Sequence, residues 1–218
     1  DSRVKTHEEP VAYLGGVGML IGLTVGVLAG VYLLRMDAAF GHELRWLLGV
    51  LAGAVIACSV GLADDILDLR PRHKMLGQVL AGVLLLWVGI NPNLQQVVKP
   101  LGLSLPAHVE GVLDVLIVTF FVLGATNSLN LLDGLDGLCA GVTAIIAVAM
   151  LLLATHLATW GFSDFGDPVR IVICLGLVGG VCGFLPFNQH PAKIFMGDAG
   201  SMLLGFVVAA LMILFAER

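Results

Sequence analysis

Six aspartates of this chain lie at the ends of apolar segments, where ionised groups usually mark function. Carboxylates that lie close together repel one another, and each tends to stay protonated unless a cation is present. A hard divalent ion such as Mg²⁺ offsets that repulsion, and it commonly binds one or two carboxylates together with substrate phosphates. The pattern predicts a metal-dependent active site at one membrane face. The residues are Asp64, Asp65, Asp68, Asp133, Asp136 and Asp198.

The first acidic motif, GLADDILDLRPRHK, joins the end of one apolar segment to the start of the next. Asp64 and Asp65 are adjacent, and Asp68 follows about one helical turn later. Two aspartates directly after an apolar run exceed what helix capping requires, so we expect them to face a cation. The alternative is a solvated loop with one capping aspartate. Asp68 by itself is equally consistent with an ion pair to Arg70 or Arg72.

The second motif, NSLNLLDGLDGL, follows another apolar segment. Asn127, Asn130, Asp133 and Asp136 recur every three residues, which on a helix gives a slowly drifting polar stripe. Gly134, the first of two glycines after aspartate, is expected to break the helix and let a ligand approach the backbone. These amides and carboxylates suit a sugar or a nucleoside. The alternative is a capped junction between two helices.

The third motif, NQHPAKIFMGDAGS, precedes the last apolar segment. Asp198 is predicted on a tight turn at a helix N-terminus, where exposed backbone amides favour anions such as phosphate. Lys193 is a candidate phosphate partner. Phe195 is predicted either to stack on a base or to pack ordinarily, and His190 either to bind a ligand or to make a structural hydrogen bond.

Composition indicates a membrane protein that positions these motifs. The chain is 58% hydrophobic and 12% charged, against about 25% charged in soluble domains. We predict an all-α polytopic fold with seven crossing segments, each near the ~20 residues that a bilayer core requires. The predicted segments are 13–34, 46–63, 75–90, 112–127, 137–155, 170–187 and 200–215.

Counting crossings places all three motifs on the side of the membrane that holds the N-terminus. The tight cluster of Arg70, Arg72 and Lys74 favours that side as cytoplasmic under the positive-inside rule. The net charge of −5 gives no reason to expect nucleic acid as a partner. The N-terminal segment HEEPVAYLGG has a weaker pattern. Its His7, and Lys5 just before it, are either phosphate contacts or ordinary surface residues.

The three motifs in this order, together with the opening R-x-K-x-H-x-x-P-x-x-x-LGG, resemble the polyprenyl-phosphate N-acetylhexosamine-1-phosphate transferases. The resemblance covers nearly the whole chain. The form HPAKIFMGD is similar to the branch that starts O-antigen, enterobacterial common antigen, teichoic acid or arabinogalactan synthesis. It is less similar to the branch that acts on the muramyl-pentapeptide nucleotide.

The resemblance implies transfer of GlcNAc-1-phosphate from UDP-GlcNAc to a polyprenyl phosphate, with Mg²⁺ or Mn²⁺, at the cytoplasmic face of a bacterial inner membrane. A homodimer is a further expectation. The roles it implies fall into three groups. The catalytic residues are Asp64, Asp65 and Lys74, with Asp198, Asp64 and Asp65 as metal ligands. The substrate-binding residues are Lys5, His7, Asn127, Asn130, Asp133, Gly134, Asp136, His190, Lys193 and Phe195, of which Phe195 would face uracil.

The chain departs from the family pattern at both ends. Family members usually have an earlier crossing helix, about ten helices in all, and a His-rich cytoplasmic loop near the C-terminus. Ala12 stands where a second proline is common. We therefore expect residues 1–218 to be one integral membrane transferase domain that lacks the first helix and the C-terminal region. The competing interpretations are a phospho-MurNAc-pentapeptide transferase, a transporter and a non-catalytic membrane subunit.

Overall fold

The computed structural model describes residues 14–33, 41–102, 104–160 and 167–216. Every regular element within these ranges is a helix, which confirms the predicted all-α class. The elements are α1 (Gly15–Leu33), α2 (Gly41–Leu67), α3 (Pro71–Trp87), α4 (Leu94–Val98), a 3₁₀ turn (Lys99–Leu101), α5 (Ala107–Leu132), α6 (Leu138–Thr159), α7 (Asp167–Asn188) and α8 (Gly197–Ala216).

Six of the helices are long and apolar enough to cross a bilayer, namely α1, α2, α5, α6, α7 and α8. α3 has 17 residues and is the short one. A side chain on Gly77 would overlap Val60, and one on Gly49 would overlap Val88. α3 therefore runs antiparallel to α2, from near its end back to near its start. The chain is a multi-pass membrane protein. Its six long apolar helices and the shorter α3 correspond in order to the seven predicted segments.

Helix ends differ from the predicted apolar segments at the acidic motifs. The predicted segments 46–63 and 112–127 both end before α2 and α5 do, and α3 begins at Pro71, ahead of its apolar run. Backbone hydrogen bonds continue a helix through polar residues, whereas hydropathy registers only the apolar ones. Asp64 and Asp65 therefore occupy the last turn of α2, and the link to α3 is only three residues long.

Helix α8 lies at the centre of the bundle. Of its most apolar stretch, 83% is buried inside the protein, far more than in any other crossing helix. Small residues allow the close approach that this position needs. A side chain on Gly16 of α1 would overlap Gly200, and one on Gly205 would overlap Thr126 of α5. The first turn of α8, which carries Asp198, is therefore enclosed by neighbouring helices.

The far end of α8 is held by a buried cation. Arg170 of α7 is 2% exposed, and its Nε and Nη2 donate to the carbonyl of Leu214 at 2.9 and 2.7 Å. Its Nη1 donates to Asp167 at 2.8 Å, so the charge is paired. A cation near the last carbonyls of a helix complements the helix dipole. This interaction fixes the end of α8 that is remote from the acidic motifs.

Candidate active site

Asp64 connects the end of α2 to the start of α3. Its Oδ1 accepts the backbone N–H of Leu69 at 2.9 Å, which ties the link to the last turn of α2. Its Oδ2 lies 2.6 Å from Nζ of Lys74, in the first turn of α3. Asp68 in the link has φ 50, a left-handed conformation that few non-glycine residues adopt. This sharp turn brings Lys74 back over the end of α2.

Lys74 also pairs with Asp198, through Nζ and Oδ2. The side chains are only partly exposed, at 22% for Lys74, 13% for Asp64 and 26% for Asp198. We call these three residues the carboxylate–lysine cluster. It joins α2, α3 and α8, and its members come from two motifs that are distant in sequence. The predicted convergence of Asp64, Lys74 and Asp198 is present in the structure.

Asp65 points to a different set of partners. Its Oδ1 and Oδ2 accept the backbone N–H groups of Asp198 and Ala199 at 2.9 and 3.0 Å. Gly197 has φ 66, and a Cβ on it would lie 2.6 Å from Asp65 Oδ2, so only glycine fits there. Asp65 therefore caps the N-terminus of α8, where a carboxylate satisfies free amides and complements the helix dipole. The sequence did not predict this role.

Asn130 of α5 is bonded to Asp198. Its Nδ2 donates to Oδ1 of Asp198 at 2.6 Å and to Oγ of Ser201 at 3.0 Å. Ser201 is fully buried in α8, so the amide is held on both sides. Asn130 was predicted to face the sugar nucleotide, but here it orients Asp198.

Asp133 follows directly after α5, and its pKa is raised well above the usual value for an aspartate. Burial, and then the charges of Asp198, Asp65 and Asp136, raise the pKa of Asp133 to about 7. Removal from water disfavours the charged carboxylate, and the neighbouring negative charges add to that effect. Asp133 is therefore within reach of the field of the carboxylate–lysine cluster, and the adjacent Gly134 is exposed, as a ligand-facing glycine would be.

Asp136 joins the second motif to the third. Its Oδ2 lies 2.9 Å from Nδ1 of His190 and accepts the backbone N–H of Ala192 at 3.1 Å. A carboxylate oxygen only accepts, so the first bond requires the proton on Nδ1 of His190. His190 thus makes the structural hydrogen bond that was one of its two predicted roles. Asp136 was predicted to contact substrate directly, and in this structure it positions the loop of residues 189–196.

Asn188, a residue that the sequence analysis did not select, strengthens the same junction. It is 2% exposed, accepts the N–H of Gly137 at 3.1 Å and donates to the carbonyl of Ile194 at 3.1 Å. The signal available in the sequence was an amide at the end of an apolar helix, as the first residue of the third motif. The loops 133–137 and 189–196 thus form one connected wall.

Asn127 was predicted to bind substrate, but in the structure it contacts other residues of the protein. Its Nδ2 donates to Oε1 of Gln78 at 3.1 Å and to the carbonyl of Leu123 at 2.7 Å. Gln78 is 1% exposed and lies one turn after Lys74 on α3. Asn127 therefore fastens α3 to α5 beside the cluster. A glutamine inside an apolar helix was the sequence signal for this contact.

The remaining predicted site residues lie around the third motif or outside the described part. Lys193 is exposed, and Phe195 is half-buried with its carbonyl accepting the N–H of Gly15 at 3.1 Å. The start of α1 thus supports the loop 189–196. Lys5 and His7 lie outside the described residues.

Carboxylate oxygens are suitable ligands for Mg²⁺, but only some of the aspartates of the site lie close enough together to share one ion. Among the described residues, no three His, Cys, Asp or Glu side chains converge in metal-binding geometry. Two carboxylates, Asp64 and Asp198, do converge, and Mg²⁺ commonly uses two carboxylates with substrate phosphates completing its shell. Both oxygens of Asp65 accept backbone amides of α8. Asp64 and Asp198 each place one oxygen against the side-chain ammonium of Lys74 instead, so the predicted metal role of Asp65 has less geometric support.

Comparison with known proteins gives the class to which this site belongs. Residues 47–216 match glycosyl transferase family 4, and the chain belongs to that family. The matched region contains the whole carboxylate–lysine cluster and the wall formed by residues 133–137 and 189–196.

Individual relatives carry related names. The chain is 34% identical over 208 residues to the decaprenyl-phosphate N-acetylglucosaminephosphotransferase of Mycolicibacterium smegmatis, covering 94% of this chain and 50% of that protein. It is 31% identical to the probable undecaprenyl-phosphate N-acetylglucosaminyl 1-phosphate transferase of Bacillus subtilis, covering 98% and 54%. It is 33% identical to the phospho-N-acetylmuramoyl-pentapeptide-transferase of Oceanobacillus iheyensis, covering 90% and 60%.

These comparisons confirm the family resemblance drawn from the motifs. They also show that the chain spans about half the length of the first of these relatives. The identities of 34% and 33% to relatives of the two branches are nearly equal, so they do not distinguish the sugar.

Proposed function

We propose that this chain is part of a membrane enzyme that transfers GlcNAc-1-phosphate from UDP-GlcNAc to a polyprenyl phosphate and releases UMP. The observation that supports the proposal is the convergence of Asp64, Lys74 and Asp198 at one end of a bundle of apolar helices. A site at the end of a membrane bundle is accessible to both a water-soluble nucleotide and the phosphate of a lipid. The names of the relatives agree with that pair of substrates.

The reaction makes one bond and breaks one. An oxygen of the lipid phosphate attacks the β-phosphorus of the sugar nucleotide, and the bond from that phosphorus to the bridging oxygen breaks. UMP leaves with the bridging oxygen, and the product is a lipid-linked sugar pyrophosphate. The lipid phosphate is already an anion near pH 7, so the step needs no strong base. Its main difficulty is the approach of two anions, and positioning and charge stabilisation are what such transfers require.

The carboxylate–lysine cluster supplies the charges for that step. Asp64 and Asp198 are the residues that would hold Mg²⁺, or Mn²⁺ in its place. When bound, the ion would polarise the pyrophosphate and screen the repulsion between the two substrates. Lys74 supplies a positive charge that can pair with a phosphate oxygen. Asn130 fixes the rotamer of Asp198 through the bond at 2.6 Å, so the carboxylate is oriented before substrate arrives.

The wall formed by residues 133–137 and 189–196 is the proposed site for the sugar nucleotide. Asp136 holds the two loops together through His190 and Ala192. Phe195 offers an aromatic ring for the base, and the exposed Lys193 offers a cation for a phosphate. Gly134 is exposed in the loop 133–137 and leaves the backbone open to a ligand.

We further propose that this end of the bundle faces the cytoplasm across a bacterial inner membrane, where UDP-GlcNAc is available. Arg70 and Arg72 are exposed beside the site, as the positive-inside rule favours for a cytoplasmic face. The product would then begin a cell-envelope glycan. A homodimer, and the contacts of Lys5 and His7 with phosphate, remain predictions.

The test is a transfer assay with purified full-length protein, UDP-GlcNAc labelled in the sugar, and undecaprenyl phosphate. We expect equal amounts of labelled lipid and UMP, produced with Mg²⁺ or Mn²⁺ and abolished by EDTA. Sugar transfer that persists in a thoroughly chelated sample would refute the metal requirement. Release of UDP in place of UMP would refute the reaction itself, because it would mean that a different bond breaks.

A second candidate function has support from the relatives. The protein of Oceanobacillus iheyensis, named as a phospho-N-acetylmuramoyl-pentapeptide-transferase, is 33% identical to this chain. The same assay with UDP-MurNAc-pentapeptide as donor separates the two candidates. We expect UDP-GlcNAc to be the better donor, because the third motif here, HPAKIFMGD, resembles the N-acetylhexosamine branch.

A further inference from the structure

Lys74 occupies the position between two carboxylates that would also suit a metal ion. Its Nζ lies 2.6 Å from Oδ2 of Asp64 and is bonded to Oδ2 of Asp198. The two acidic residues belong to α2 and α8, and the ammonium contacts the Oδ2 atom of each. The chain thus supplies its own cation at the point where the two carboxylates converge.

The other oxygens of the pair are also occupied. Oδ1 of Asp64 accepts the backbone N–H of Leu69 at 2.9 Å, and Oδ1 of Asp198 accepts Nδ2 of Asn130 at 2.6 Å. The first donor is fixed by the helix end, and the second is also bonded to buried Ser201. Lys74 is the only donor of the three on a long flexible side chain, so it is the one that can withdraw by rotating its own torsions.

We propose that Lys74 is an internal counter-ion of the Asp64–Asp198 pair, and that a divalent cation binds by displacing its ammonium. The inference rests on the proposed function, since it takes the metal of that reaction as the competitor. An ammonium and a divalent ion repel each other, so both cannot remain between the same two oxygens. The displaced ammonium stays tethered to α3 beside the site, where it can pair with a phosphate that arrives with the metal.

The first test measures Mn²⁺ binding without any nucleotide. Full-length protein in detergent is titrated with Mn²⁺, and free Mn²⁺ is followed by electron paramagnetic resonance. Lys74→Met keeps the length of the side chain and removes the charge, and Lys99→Met makes the same change at an exposed site outside the cluster. We expect Lys74→Met to bind Mn²⁺ about tenfold more tightly than the wild type, equivalent to about 1.4 kcal/mol. Lys99→Met should match the wild type.

Mn²⁺ affinity in Lys74→Met that equals or falls below the wild-type value overturns the proposal. That result would mean that Lys74 either does not compete with the ion or assists its binding. The variant leaves two facing carboxylates without a counter-ion, so its folding must be checked. A second measurement therefore uses the unmodified protein.

The second test follows the reactivity of Lys74 in the wild type. Reductive methylation is quantified for each lysine by mass spectrometry, with and without saturating Mg²⁺, and Lys99 serves as the internal reference. We expect Mg²⁺ to raise the labelling rate of Lys74 several-fold relative to Lys99, because displacement exposes the amine. An unchanged or lower rate refutes displacement.

Both tests are independent of transfer activity. A protein that binds Mn²⁺ and exposes Lys74 as expected, yet releases no UMP from UDP-GlcNAc, would refute the proposed function and leave the displacement standing. A protein that transfers the sugar but shows no competition at Lys74 would refute the displacement and leave the proposed function standing.

Discussion

The carboxylate of Asp65 accepts the backbone N–H of Asp198 at 2.9 Å, so the first acidic motif caps the helix that begins in the third. The neighbouring residue Asp64 faces the other way, toward Lys74. Adjacent aspartates on a helix point about 100° apart, which lets one serve the architecture while the other serves the cluster. The two residues of the pair are therefore expected to respond differently to substitution.

Asp65→Ala should lower both stability and turnover. The change leaves two amides at the start of α8 without an acceptor, at a cost of about 1–3 kcal/mol. Thermal unfolding in detergent, followed by tryptophan fluorescence, measures the effect. Asp68→Gly is the control, because a glycine relieves the left-handed backbone there and should leave the melting temperature unchanged or raised. Wild-type stability of Asp65→Ala would contradict the capping role.

Asp198→Asn should reduce transfer by at least about a hundredfold, as expected when a charge needed for transition-state stabilisation is lost. The amide is close in size to the carboxylate, so the fold should persist. Labelled lipid product is measured beside the melting temperature. A stable variant that retains near wild-type turnover would show that the charge of Asp198 is not required.

Asp136→Ala should weaken the binding of UDP-GlcNAc more than it slows turnover, because it separates the loops 133–137 and 189–196. We expect the KM for the nucleotide to rise by about tenfold, in line with the loss of hydrogen bonds worth about 1–3 kcal/mol. His190→Ala removes one of the two contacts and keeps the other, so its effect should be smaller. A larger effect of His190→Ala would indicate that the histidine itself contacts substrate. The KM for polyprenyl phosphate should change in neither variant.

Asp133 should make stability depend on pH between about 4 and 7. Its pKa is raised from 3.8 to about 7 in the folded protein, so the folded state holds a proton that the unfolded chain has released. Stability from this group is therefore complete below the unfolded pKa and is lost as pH rises through the folded pKa. In metal-free buffer, Asp133→Asn should gain melting temperature relative to the wild type between pH 5 and pH 8. A constant difference across that range would show that Asp133 does not titrate there.

The cluster should face the cytoplasm. A cysteine at the exposed Arg72 should resist a membrane-impermeant thiol reagent in intact cells, once the native cysteines are removed. A cysteine at Lys99 should react, since Lys99 follows the C-terminal end of α3, opposite the end that carries Lys74, and is also exposed. Gln95 is a less suitable position, because its side chain is bonded to Leu105. The reverse labelling pattern would overturn the proposed orientation.

The sequence predicted which acidic motifs would meet, because the parity of apolar segments decides which loops share a side. It did not predict the partner of each side chain. Asp65 and Asn127 are polar residues at predicted site positions, yet they bind protein groups, on α8 and on Gln78. The partner of each polar side chain depends on its direction at a helix end. The predicted helix ends differed from the observed ones, because hydropathy does not detect helical turns made of polar residues.

Opposite charges hold the two ends of α8, so the candidate active site has one fixed part and one adjustable part. With Asp65 at one end and Arg170 at the other, α8 cannot slide or rotate without breaking buried or charged bonds. The position of the Asp198 carboxylate is thus fixed. A ligand of this site must fit the fixed carboxylate of Asp198 and displace the ammonium of Lys74. An inhibitor with its own cation in the place of that ammonium would therefore find the carboxylate already oriented to accept it.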